Sequence, residues 1–191
     1  MLAAGFVLAG GQSSRMGRDK ALLPYRDTVL VDWIARQVET AAGSATLVGP
    51  PERYRSLGHP VLADLRPGCG PLAGIETALS ATPAEFNLIV ACDLPNLTAE
   101  LLAGLLAAAI RHDADCTLPE APGAPQPPLC AVWRRRCRDA VREALDQGVR
   151  KLAHLLQQLR VSRWKLDDPA WAVNLNTPEQ YRHQLARSSD A

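Results

Sequence analysis

No apolar run in the sequence approaches the ~20 residues that span a bilayer, so nothing in it argues for a transmembrane helix. The N-terminal MLAAGFVLAGG is apolar, but it lacks a basic stretch and runs directly into glycines; a first strand explains it better than a signal peptide. An excess of one charge is missing too. With 21 Lys+Arg against 20 Asp+Glu, the net charge of +1 gives no argument for nucleic acid or an anionic membrane as partner. The five cysteines are odd in number and contain no C-x-x-C pair, which excludes a disulfide framework and a zinc site and suggests reduced thiols in the cytoplasm. The four histidines (His59, His112, His154, His183) show no metal-ligand spacing. Neither G-x-x-x-x-G-K-[ST] nor G-x-G-x-x-G fits any stretch, so a P-loop NTPase and a dinucleotide dehydrogenase both lose ground.

What the 191 residues do contain is alternation. Apolar, β-branched stretches at 6–9, 45–49, 60–63, 87–92, 115–118 and 129–133 read as strands, several continuously apolar as in a sheet covered on both faces. Helical patterns fall near 30–42, 71–82, 98–112, 136–146, 150–160 and 177–186. In the third, Leu101, Leu102, Leu105, Leu106, Ala109 and Ile110 share a stripe, Thr98 can cap, and Leu97 can staple onto Leu102. The βαβα order predicts a doubly wound, mostly parallel α/β sheet in a single domain over 1–186, with 187–191 as a frayed tail. The proline-rich PEAPGAPQPP (119–128) reads as an exposed connector.

The chemistry concentrates in LAGGQSSRMGRDK (8–20). A strand that opens into glycines puts backbone N–H groups at the carboxyl edge of an α/β sheet, where ligands bind. Arg15, Arg18 and Lys20 add cations, so a polyphosphate is the natural guest. Asp93 directly follows the apolar run at 87–92 and falls at the same edge. It is either a Mg²⁺ ligand or a cap for the next turn. Asp64, after the strand at 60–63, reads equally as a ligand or as a turn aspartate. Gly70 and Pro71 suit a helix start whose free N–H groups would face that edge. Asn174 and Asn176 share one face if 172–176 is extended, with Thr177 and Gln180 able to form a capping box, and they either serve the site or close an edge. The basic cluster RRRCR (134–138) reads as a solvated face or, because cations oppose a helix N-terminus, as a surface for an anionic partner.

Taken together, LAGGQSSRMGRDKALL, DLRPGCGPLAGIETAL, ACDLPNL, QPPLCAVWRRR and AVNLNTPEQY resemble the nucleotidyltransferase superfamily, and within it the molybdenum cofactor guanylyltransferases. The resemblance implies a single-domain, Rossmann-like three-layer α/β/α sandwich of the nucleotide-diphospho-sugar transferase kind. It implies Mg²⁺-dependent transfer of GMP from GTP to the terminal phosphate of molybdopterin, with release of pyrophosphate. By the same resemblance Leu8, Ala9, Gly10, Gly11, Lys20, Asp64 and Asp93 would bind GTP, Asp93 would hold the metal, and Arg15, Lys20 and Asp93 would serve catalysis. Asn174 and Asn176 would join the phosphate or metal shell, and transient contact with molybdoenzyme-maturation proteins is expected. Where relatives often carry an asparagine for the nucleotide, this chain has VGPPER, and Gly49 offers only backbone. A cytidylyltransferase for the same pterin, a sugar-phosphate nucleotidyltransferase and a non-catalytic nucleotide-binding adaptor therefore stand as alternatives.

Overall fold

The computed structural model describes residues 2–9, 19–124 and 129–189. Strand β1 (Ala3–Leu8) leads to the small hairpin β2 (Pro24–Tyr25) and β3 (Thr28–Val29), followed by α1 (Leu30–Ala42), β4 (Thr46–Val48), α2 (Pro51–Tyr54) and β5 (Val61–Leu62). The chain continues through α3 (Pro71–Ser80), β6 (Phe86–Ala91), α4 (Ala99–Arg111), β7 (Cys116–Glu120) and β8 (Cys130–Arg134). It ends with α5 (Arg138–Asp146), α6 (Leu152–Leu156), β9 (Val161–Lys165) and α7 (Pro178–Ser189).

The main sheet has the order β5-β4-β1-β6-β8-β7-β9. Strand β8 is antiparallel to both neighbours, and the other pairings are parallel, so the sheet is mostly parallel as expected. Every residue of β6 is buried, which is why all of them except Asn87 are apolar and the strand shows no alternation. Side chains of alternate register feed two cores. Val7, Leu88, Val90 and Val132 pack on α1 and α4, while Phe6, Ile89, Ala131 and Trp133 pack on α3, α5 and α6. These are the two outer layers of an α/β/α sandwich, and each fully buried Val, Leu or Ile adds ~1.5–3 kcal/mol. Close packing of α1 on β1 requires Gly5, where a Cβ would lie 2.3 Å from both Ser44 O and Val38 Cγ1.

Three expectations are corrected. The strand placed at 115–118 extends through Pro119 to Glu120, into the run read as connector. Pairing with β8 stops at Thr117, so the missing proline amide breaks no bond on that side. The helix expected over 150–160 is only Leu152–Leu156, and β9 follows, unanticipated because its edge position leaves it half exposed and polar. Helix α7 reaches Ser189, into the segment read as a frayed tail. Among the described residues, no helix is long and apolar enough to cross a membrane, and all five cysteines are free.

Candidate active site

The parallel strands end at one edge, and their carboxyl ends open on a cavity of about 220 Å³. Leu8 and Ala9 at the end of β1, Val48 from β4, Asp64 beyond β5, and Ala91, Cys92 and Asp93 at the end of β6 line it. Asp19 and Lys20 close one side, and Gly70, Pro71 and Gly74 of α3 close another. Because β8 runs antiparallel, its start lies at this edge too: Leu129 lines the cavity and accepts the Ala91 amide at 2.7 Å.

At its centre, Lys20 Nζ lies 2.5 Å from Asp93 Oδ2, with both side chains largely buried. Lys20 sits on a 3-10 turn, Lys20–Leu22, capped by the Asp19 carboxylate, which accepts the Ala21 amide at 3.1 Å. Asp93 does not cap the following helix. Thr98 does that, its side chain accepting the Leu101 amide at 3.2 Å, and Leu97 and Leu102 are both buried beside it. The neighbouring Cys92 thiol is pushed up to about 12, first by burial and then by the Asp93 charge, so it is an inert apolar wall.

Asn176 arrives from the far end of the sequence. Its Oδ1 lies 3.5 Å from Lys20 Nζ. The anticipated capping box forms: Gln180 Oε1 accepts the amides of Asn176 and Thr177 at 2.8 and 3.1 Å, and Thr177 Oγ1 accepts the Gln180 amide at 3.2 Å. Asn174 lies two positions upstream and is half-buried.

Asp64 accepts the Thr77 hydroxyl at 3.1 Å. Burial raises its carboxyl above the ordinary aspartate range, and the charge of Glu76 adds to the rise against the hydrogen bonds from Thr77 and the Arg66 backbone. Gly70 has φ +77°, a left-handed conformation that turns the chain into Pro71 and aims the start of α3 at the cavity.

Leu8, Ala9, Lys20, Asp64 and Asp93 thus share one cavity, with Asn176 touching Lys20. Gly10, Gly11 and Arg15 lie outside the described residues. The basic cluster does not belong here. Arg134 pairs in register with Phe86, at the opposite end of β6 from Asp93, and its guanidinium lies 4.5 Å above the Phe86 ring. Two of its charges are met locally: Arg134 by Glu85 at 2.8 Å, and Arg136 by Asp115 and Asp113 at 2.7 and 2.9 Å. The surface for an anionic partner read at 134–138 therefore lies away from this cavity. Sequence reasoning missed Asp19 and Thr77. Asp19 stands next to Lys20 in the motif, and Thr77 lies one helical turn after Ala73, whose carbonyl its hydroxyl meets at 2.9 Å.

Residues 5–162 match the MobA-like NTP transferase domain. The chain belongs to that family. It is accordingly a nucleotidyltransferase, and the cavity at its sheet edge is the candidate active site. A curated relative from Mesorhizobium japonicum, named molybdenum cofactor guanylyltransferase, is 40% identical over 166 residues, covering 81% of this chain and 78% of the relative. Another from Nostoc sp., named probable molybdenum cofactor guanylyltransferase, is 37% identical over 186 residues, covering 91% of this chain and 86% of the relative. The crystal structure of molybdopterin-guanine dinucleotide biosynthesis protein A from Archaeoglobus fulgidus superposes with a TM-score of 0.84 at 23% identity, covering 98% of this chain and 100% of that one, and supports the fold.

Proposed function

We propose that the protein transfers GMP from GTP to the terminal phosphate of molybdopterin, releasing pyrophosphate. The observation that carries this reading is the Lys20–Asp93 pair at 2.5 Å inside a cavity that also holds Asp64, in a chain whose relatives are named guanylyltransferases.

The attacking group needs no base. A phosphate monoester has a second pKa of ~6 and is largely dianionic at neutral pH. Its oxygen forms the new bond to the α-phosphorus, the bond from that phosphorus to the bridging oxygen breaks, and pyrophosphate leaves with the electron pair. Catalysis is then positioning and charge neutralisation. Lys20, held in place by Asp93 and Asn176, would stabilise charge on the departing phosphates. By analogy with single oxyanion donors, losing it costs ~3–4 kcal/mol of barrier. Leu8 and Ala9 offer backbone at the cavity wall, and the Asp64 carboxyl would accept hydrogen bonds from the guanine edge.

The donor set suits magnesium. Asp93 contributes one carboxylate and Asn176 one carboxamide oxygen, both hard ligands beside a phosphate site, where Mg²⁺ usually takes one or two carboxylates and completes its shell with phosphates and water. Asp93 would hold the ion, with the Asn176 carboxamide beside it, and the ion when bound would supply charge neutralisation at the phosphate site.

Turnover of the four NTPs with molybdopterin as acceptor tests the reading. Pyrophosphate release with GTP alone supports it. Release with CTP instead identifies a cytidylyltransferase, and GTP binding without release identifies an adaptor.

A further inference from the structure

Tyr54 ends α2 and is 1% exposed, yet its hydroxyl reaches the edge of the active site. Its oxygen lies 2.7 Å from the Ala9 carbonyl oxygen and 2.9 Å from Asp19 Oδ2. Ala9 follows β1, and Asp19 opens the turn that carries Lys20, so one hydroxyl touches the residues on either side of 10–18. A buried tyrosine needs only one partner to be satisfied. Here a single proton lies between two acceptors, both belonging to the signature stretch.

The surroundings fix which group is held to which. The Ala9 amide donates to the Val48 carbonyl at 2.8 Å, so Ala9 is anchored to the sheet. Asp19 spends its other oxygen on the Ala21 amide, the bond that shapes the Lys20 turn. Arg53 Nη1 approaches Asp19 Oδ2 at 3.3 Å from the surface. Burial first, then the hydrogen bond and charge of Asp19, hold the phenol protonated far above the ordinary tyrosine range, so it stays a neutral donor. A carboxylate on the wall of a cavity meant for a polyanion repels its guest unless its charge is engaged. Tyr54, Arg53 and the Ala21 amide engage this one.

We propose that Tyr54 and Asp19 are positioning residues that reference the Lys20 ammonium to the end of β1 and so set the geometry in which it grips a nucleotide triphosphate. The inference rests on the nucleotide reading above. Tyr54 acts through Asp19, and Asp19 acts through the turn.

Calorimetric titration with Mg·GTP tests it on the parent protein, Lys20→Ala, Tyr54→Phe, Asp19→Ala and the two double variants containing Lys20→Ala, with thermal unfolding as a check of folding. Tyr54→Phe and Asp19→Ala should each weaken GTP binding about tenfold, the size expected for one buried hydrogen bond. Neither should weaken it much further once Lys20 is gone, because coupled residues are not additive. Unchanged affinity in both single variants, or losses that add in full to that of Lys20→Ala, would overturn the proposal. If Tyr54→Phe does not fold, Asp19→Ala, whose side chain reaches the surface, decides by the same outcomes. A parent that binds no GTP overturns the nucleotide reading and this pairing with it. A parent that binds GTP and is weakened by Lys20→Ala alone overturns only the pairing.

Discussion

The backbone amide of Leu175 donates to the backbone carbonyl of Asp93 at 3.0 Å. That bond ties the segment before α7 to the end of β6, and Leu175 is fully buried with Tyr25 and Leu30. Asn176 is delivered to Lys20 by this anchorage, not by a strand. Asn176→Ala should therefore lower kcat/KM for GTP about tenfold, the size of one lost polar contact, while leaving the melting temperature near the parent value. Steady-state kinetics with a melting curve check both parts.

Asp64 carries a pH signature. Its carboxyl is raised in the folded state, chiefly by burial, so the folded chain holds that proton more tightly than the unfolded chain does. Its contribution favours folding at low pH and is lost as pH rises through the folded value, which makes the ionised group a cost at pH 7. Asp64→Asn should match or exceed the parent's melting temperature at pH 7, with the gap closing below about pH 4, while GTP affinity falls at least about tenfold. Calorimetry at the two pH values, with GTP titration, decides it. A lower melting temperature at pH 7 would contradict the burial argument.

Asp115 predicts the opposite slope. Burial alone would raise its carboxyl, but hydrogen bonds from Arg160 and Arg136 outweigh this and hold it down at about 2. The stability it adds is present above the unfolded value of ~3.8 and is lost as pH falls towards 2. Asp115→Asn should lower the melting temperature at neutral pH by a few degrees, as expected for ~1–2 kcal/mol in a chain of this size, with the difference shrinking in acid. Activity should persist, since Asp115 joins β7 and β9 at the edge of the sheet away from the cavity.

Much of this architecture was legible in the residues themselves. Strands β1, β4, β6 and β8 announce themselves because burial on both faces demands unbroken apolar runs, and Thr98 and Thr177 mark helix starts because their hydroxyls cap free amides. Strand β9 is not legible in that way. On the sheet edge it keeps polar residues, and only Gly104 reveals its packing, by making room on α4 for the Trp164 ring. The antiparallel direction of β8 is also hidden, since the register that seats Arg134 on Phe86 is a tertiary fact. At the site, the cavity-lining Lys20, Asp64 and Asp93 stood out in the motifs. Those that work through a neighbour, Tyr54 and Thr77, look like ordinary core and helix residues in the sequence.

Gly104→Ala tests that packing. A Cβ there would lie 2.7 Å from Trp164 Cη2, within a ring that cannot swing away without leaving its place against the core. The variant should lose ~1–3 kcal/mol of stability, measured by denaturant unfolding, with GTP affinity unchanged below its transition. A neutral result would mean that β9 shifts freely.

The central claim is that Lys20 and Asp93 work together on a nucleotide triphosphate in the cavity at the end of β6. The most direct measurement is pyrophosphate release from GTP, with Mg²⁺ and molybdopterin as acceptor, by the parent and by folded Asp93→Ala. The account predicts steady release by the parent and a fall of at least about a hundredfold in the variant. Equal rates in the two proteins would contradict it.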